Sequence, residues 1–155
     1  MGLLRPGCVR RAALTPCARP DLRCAYLPVA RTRGRAQVGV TVNPVKVESL
    51  SSFGGVDDVW VKLRAAEVAK ESTKSIDLVD SGKRAPSDGA AELFTYEYVL
   101  DSTRGKKHVF NAVAITGSKL YILNAQCKDK GTEETDALAA DLGMVLKSFT
   151  VTAAA

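Results

Sequence analysis

The stretch that most constrains how this chain can fold runs from Gly105 to Lys130, GKKHVFNAVAITGSKLYILNAQCKDK. Two runs of strand composition, His108 to Thr116 and Lys119 to Cys127, are separated only by Gly117 and Ser118. A two-residue link led by glycine predicts a β-hairpin with a type II′ turn. The turn then sets the register. With Thr116 opposite Lys119, Phe110 faces Ala125, His108 faces Cys127, and Lys106 faces Asp129. Side chains alternate between the faces of a strand, so His108, Phe110, Ala112 and Ala114 share a face with Tyr121, Leu123, Ala125, Cys127 and Asp129. The only histidine of the chain is thereby set beside a thiol and diagonal to a carboxylate.

The segments around this hairpin supply a sheet and two helices. Val38 to Val47 is β-branched and extended, and Pro44 suits it to an edge or terminal position better than a central one. Asp57 or Asp58 caps a predicted helix running to about Ser72, with Val59, Leu63, Ala66 and Val68 or Ala69 on its apolar stripe and Trp60 at the stripe's edge as a packing residue. Ile76 to Asp80 reads as a short strand, and Ser81 to Gly89 as a loop that exposes Lys83 and Arg84. Leu93 to Leu100 alternates Phe94, Tyr96, Tyr98 and Leu100 against Thr95, Glu97 and Val99, the pattern of a half-buried antiparallel strand. A loop over Asp101 to Lys107 leads into the hairpin. After it, Gly131 breaks the strand and Thr132 or Thr135 caps a helix from Glu133 to Ser148, with Leu138, Leu142, Val145 and Phe149 as its buried stripe. The sum is an α+β fold, a central antiparallel β-sheet flanked by helices.

Charge divides the chain in two. The first 36 residues hold eight of the 22 basic residues and one of the 17 acids, leaving 14 basic and 16 acidic residues from Gln37 onward. The folded part thus has no net positive field, which argues against nucleic acid as a partner despite the overall charge of +5. Residues 1–36, rich in Arg and Ala and broken by Pro6, Pro16, Pro20 and Pro28, read as an organellar transit peptide, with the domain over 37–152 and a frayed end at 153–155. Cys8, Cys17 and Cys24 lie in that leader and Cys127 stands alone in the domain, so no disulfide is expected within it. No apolar run approaches the ~20 residues of a membrane helix, so membrane association would be peripheral.

Catalytic constellations are missing. The chain has no glycine-rich phosphate loop after a strand and no Cys-x-x-Cys, and Asp57/Asp58 and Glu133/Glu134 stand where helix capping accounts for them. The reading is a protein that is not an enzyme.

Four pieces of the chain, VTVNPVKVESLSSFGGVDDV, LFTYEYVL, GKKHVFNAVAITGSKLYILNAQ and a closing helix that ends in SFTV, occur in an order that resembles the PsbP family of photosynthetic lumenal proteins, over about Val38 to Val151. The resemblance implies a PsbP-like α/β/α sandwich, and it lacks the hairpin that family members carry before Val38, so the sheet is expected to be truncated at its N-terminal side. It also implies an extrinsic, non-catalytic partner of photosystem subunits at the thylakoid membrane, supporting the photosystem II oxygen-evolving complex or photosystem assembly. Localisation follows as the chloroplast, in the thylakoid lumen or, since no apolar lumenal signal is seen, the stroma.

Matching positions of the family are implicated in divalent-metal binding and fall on His108 and Asp129, whose diagonal placement separates their backbones by ~7–8 Å. Cys127 would be a third ligand, and the cofactor class is a divalent metal, Zn²⁺ or Mn²⁺ ahead of Ca²⁺, which asks for more oxygen ligands. Beyond Asp129 the chain departs from the family, with Gly131, Thr132 and Glu133 in place of aromatic and basic residues. Two other readings compete: a plastid metal carrier or sensor built on His108, Cys127 and Asp129, and a nuclear Ran-binding relative of similar fold, against which the Arg/Ala/Pro leader speaks.

Overall fold

The structure, a computed structural model, describes residues 30–32, 36–85 and 89–152. Six antiparallel strands form one sheet: β1 (Ala30–Thr32), β2 (Ala36–Pro44), β3 (Thr73–Arg84), β4 (Leu93–Ser102), β5 (Gly105–Thr116) and β6 (Lys119–Lys128), in the spatial order β1-β2-β6-β5-β4-β3. Two helices, α1 (Val56–Val68) and α2 (Glu133–Ser148), pack on opposite faces. The α+β fold expected from the sequence, an antiparallel sheet between helical layers, is the fold observed.

The two faces bury separate clusters. Against α2 lie Leu93, Phe110, Ala112, Ala114, Leu123, Ala125 and Cys127, joined by Leu142 and Leu146 of the helix. Against α1 lie Phe94, Tyr96, Tyr98, Val109, Val113 and Ile115, joined by Leu50 and Val59. β5 serves both, which is why every residue from Val109 to Ile115 is buried and why its sequence reads as a nearly continuous apolar run. Trp60 of α1 packs over the second cluster, its ring 5.9 Å from that of Tyr96 and 5.4 Å from that of Tyr98. It is a helix-to-sheet packing residue, as its place at the stripe edge suggests.

The hairpin register is the expected one. Thr116 pairs with Lys119, Phe110 with Ala125 and His108 with Cys127, and the Asp129 N–H extends the ladder to the Lys106 carbonyl at 3.0 Å. The turn differs in type: Gly117 and Ser118 both have positive φ, +55° and +57°, which is type I′ and not type II′. Either turn links the strands with two residues, so the register is untouched.

Boundaries also differ: in place of the expected loop over Asp101 to Lys107, β4 runs to Ser102 and β5 starts at Gly105, and three more differences bear on the site. β3 is longer than expected and takes in Ser81 to Arg84, with extra residues inserted at Lys74 and Val79 where its pairing to β4 slips. These bulges and its polar, edge position hide its strand character from any alternation count. The first helix starts at Gly55 rather than at an aspartate: Asp58, one turn in, accepts from the Gly55 N–H at 2.8 Å. Finally, β1 lies inside the 1–36 leader and pairs with Ala36 to Val38, and Ala36 itself is buried opposite Cys127. Residues 1–29, 33–35, 86–88 and 153–155 lie outside the described residues, and the transit-peptide and frayed-terminus readings fall there.

Candidate functional site

The sequence singles out His108, Cys127 and Asp129, which lie near the start of β5 and the end of β6. His108 and Cys127 are cross-strand neighbours. The imidazole turns the other way: its Nε2 lies 2.8 Å from Oε1 of Glu97 on β4, and its ring stacks on Phe110 at 4.7 Å with a 19° interplanar angle. Glu97 reaches it because Glu97 faces Phe110 in the β4–β5 ladder, one diagonal step from His108 on the same face. The two side chains are 21% and 28% exposed, so their bond is shielded from water on most sides.

Cys127 is 3% exposed in the α2-side core. Burial pushes its thiol pKa up, and the nearby Asp129 charge pushes it further, so the sulfur holds its proton. Asp129 is engaged locally, its Oδ1 accepting the Gly131 N–H at 3.0 Å in a turn where Gly131 has φ +63°.

A divalent ion needs deprotonated, converging ligands. Among the described residues no group of three His, Cys, Asp or Glu side chains is so placed. As arranged, the expected ligands do not converge: His108 is bonded to Glu97, Asp129 to a backbone N–H, and Cys127 is buried in the α2-side core. No nucleophile is activated here either, since the imidazole bonds a carboxylate and not the thiol. The arrangement ties β4 to β5.

Two features escaped the sequence reading. Arg84, expected in an exposed loop, ends β3 and reaches across to the C-terminus of α2, where its guanidinium donates to the carbonyls of Leu146, Lys147 and Phe149. Lys83 beside it pairs with Glu92 at 2.7 Å. On the other face a buried polar pair joins β4 to β5. The Asn111 amide, oriented so that its oxygen accepts from the Tyr98 hydroxyl at 3.1 Å, donates its nitrogen to the carbonyls of Phe110 and Leu123 at 3.2 and 3.3 Å. Burial raises the Tyr98 pKa, with the Glu67 charge adding to it, and burial with the Asp57 charge pushes Tyr96 up to about 12. An odd-numbered Asn in the alternating run FNAVAI is the signal that would have marked this pair.

Such a molecule, an antiparallel sheet closed by one helix on each face with its polar residues spent on internal ties, is of the α/β/α sandwich class. Comparison with known proteins makes the assignment specific. The PsbP family profile matches residues 29–151, and the chain belongs to the PsbP family. It is 41% identical over 118 residues to PsbP domain-containing protein 2, chloroplastic, of Arabidopsis thaliana, a match covering 75% of this chain and 50% of that protein. The chain thus spans about half the length of that curated relative. Among solved structures it superposes on the solution structure of cyanobacterial PsbP (CyanoP) from Synechocystis sp. PCC 6803 with a TM-score of 0.59 at 16% identity, covering 76% of this chain and 68% of the other. That likeness speaks to the fold.

Proposed function

We propose that this chain is a non-catalytic accessory protein of the chloroplast that docks peripherally on photosystem subunits at the thylakoid membrane and supports photosystem II or its assembly. The observation that carries the reading is the family match over residues 29–151, which takes in every described helix and strand. Three others agree with it. The Arabidopsis relative is named as chloroplastic. No helix among the described residues is long and apolar enough to cross a membrane. The one histidine is tied to Glu97 rather than to a nucleophile. The lumenal side of the thylakoid is the favoured location, by analogy with the family, with the stroma as the other compartment.

The test is import of the full-length chain into isolated chloroplasts, followed by thylakoid fractionation with protease protection and native gel electrophoresis. The expected result is a protease-protected form that co-migrates with a photosystem II complex or assembly intermediate and is released by salt washing. Silencing the gene should lower the maximal quantum yield of photosystem II. A form that stays free of every photosystem complex, in plants whose photosystem II yield is unchanged on silencing, would sink the proposal.

A further inference from the structure

α1 carries two apolar stripes, and the fold uses one of them. Turned to the sheet are Val59, buried, with Trp60 and Leu63 packed against the same cluster. On the side away from the sheet, Val61, Ala65 and Val68 recur at intervals of four and three residues, the spacing that lines up one face of a helix. All three are exposed, Val61 at 65% and Val68 at 56%. Val68, expected on the stripe that meets the sheet, thus stands on the outer one. A helix that only has to cover a sheet needs a single stripe. Scattered exposed apolar residues are ordinary on a surface, but a second aligned stripe marks a face built to be covered.

An aromatic ring is held beside this face. Phe53, 40% exposed in the turn before α1, has its carbonyl bonded by Lys62 Nζ at 3.1 Å, and the same ammonium lies 4.3 Å from the ring centre. The turn itself is tight. The Phe53 N–H donates to the carbonyl of buried Leu50 at 2.8 Å, and Gly54 has φ +129°, where a side chain would run into Asp58. An exposed aromatic fixed in this way loses little freedom when a partner covers it.

Charge says what kind of partner fits. The outer stripe has a cation on each flank, Lys62 on one side and Arg64 on the other. Arg64 has no ion partner among the described residues, and the nearby Glu67 is taken by Lys70 at 2.7 Å. Lys62 is bonded to a carbonyl, so its charge is not neutralised. Asp58, one turn before Lys62, caps the helix through the Gly55 N–H. An amphipathic helix bordered by Asp or Glu answers both features: its apolar side chains enter beside the small Ala65, and its acids meet Lys62 and Arg64. A second copy is a poorer occupant, because two such faces brought together set cations against cations at the middle of the contact. An anionic lipid surface is poorer as well, since it would meet Asp57 and Asp58 and gain only a few apolar side chains.

We infer that the outer stripe of α1, with Phe53 beside it, is a docking face that takes an acid-bordered amphipathic helix of a partner protein. This rests on the reading above that the partner is a photosystem subunit, and it assigns the surface by which the two meet.

The experiment measures binding of the full-length chain to detergent-solubilised photosystem II core particles. It compares the wild type, Ala65→Glu in the stripe, Arg64→Glu on its flank, and Met144→Glu on the exposed side of α2 as control. Each variant is first checked for wild-type melting. The inference expects Ala65→Glu to bind at least ~tenfold more weakly. Arg64→Glu should bind ~three- to tenfold more weakly, with a flatter salt dependence, and Met144→Glu should bind as wild type does. Zero-length carbodiimide coupling should join Lys62 to an Asp or Glu on a helix of the particles. Wild-type binding by either α1 variant, or a Lys62 cross-link outside any helix, overturns the inference and leaves the photosystem reading intact. So does wild-type binding to protein-free anionic vesicles that Ala65→Glu abolishes, or a wild-type dimer in sedimentation that Ala65→Glu dissolves, since a lipid surface or a second copy would then be the occupant. Wild-type chain that binds no particles sinks the photosystem reading and the inference together.

Discussion

Replacing Arg84 with alanine removes the only side chain that ties the C-terminus of α2 to the edge of the sheet among the described residues. A helix leaves its last four carbonyls without intrahelical partners; in α2 these are Val145, Leu146, Lys147 and Ser148. The Val145 carbonyl is used by the Phe149 N–H at 3.1 Å and the Ser148 hydroxyl at 3.0 Å. Arg84 takes the next two, and Phe149 beyond them: Nη1 bonds Lys147, and Nη2 bonds Phe149 at 2.7 Å and, more weakly, Leu146 at 3.4 Å. Hydrogen bonds from a charged donor contribute ~1.5–3 kcal/mol each, and a cation at a helix C-terminus adds ~0.3–1 kcal/mol. Against this stands Nε, buried without a partner among the described residues, a loss of ~1–3 kcal/mol. With the two good bonds taken near the low end because the Lys147 one is exposed, the weak bond and the dipole added and the stranded Nε subtracted, the net is about 2–3 kcal/mol.

Arg84→Ala should therefore lower the unfolding free energy by ~2–3 kcal/mol, and Tm by about 3–5 °C for each of those kilocalories in a domain of this size, measured by urea titration and calorimetry. Arg84→Lys should recover less than half, because an ammonium on a flexible stem keeps the charge but cannot span three acceptors as the planar fork does. The penalty should change little between low and high salt, since the acceptors are neutral carbonyls; the exposed Lys83–Glu92 pair is the one that salt screens. Hydrogen exchange adds a location: the Ala91 N–H, bonded to the Val151 carbonyl at 2.7 Å in the same seam, should exchange faster in Arg84→Ala. A loss within ~0.5 kcal/mol of zero, or a lysine variant as stable as wild type, would refute the claim that the guanidinium fork caps the helix.

Ser118→Gly should raise stability by ~0.5–1 kcal/mol in the same urea assay, because Ser118 holds φ +57°, where a side chain costs ~1–2 kcal/mol and glycine's extra unfolded-state entropy returns only part of that. Tyr96 and Tyr98 bind their protons more tightly folded than unfolded, so their share of stability is full below pH ~10 and is lost as pH rises toward about 12, the Tyr96 value; absorbance at 295 nm should show these two ionising only as the fold opens. Zinc or manganese titrated into the full chain by calorimetry should give no 1:1 isotherm that His108→Gln removes; such an isotherm would restore the metal carrier. Cys127 should react with a thiol reagent at pH 8 at least ~100-fold more slowly in the folded chain than in urea, since burial both hides the sulfur and holds its proton.

What the sequence made legible follows from where a short count sufficed. The β5–β6 register needed one two-residue turn and simple alternation, and α2 needed a cap and a stripe. β3 needed more, because an edge strand with inserted residues at Lys74 and Val79 shows neither alternation nor an apolar run, and without its full length Arg84 reads as a loop residue. The turn type was missed because a leading glycine is compatible with both hairpin turns, and what decides between them is the φ that Ser118 adopts.

The partner of His108 shows how close such a reading can come. Two carboxylates lie one diagonal step from it on the same face, Asp129 across β6 and Glu97 across β4. The first was visible from the hairpin. The second becomes visible by the same arithmetic once Thr103 and Arg104 are taken as the whole link between β4 and β5, because Ser102 opposite Gly105 puts Glu97 opposite Phe110. Geometry in the sheet then leaves the two acids nearly equivalent, and the choice falls to what else each can bond. Asp129 has the Gly131 N–H within its own turn, at 3.0 Å. Glu97, in mid-strand, has its backbone committed to the ladders on both sides, and His108 is what its carboxylate meets, at 2.8 Å. The Gly131 N–H, by occupying the Asp129 carboxylate, leaves Glu97 as the acid that His108 meets.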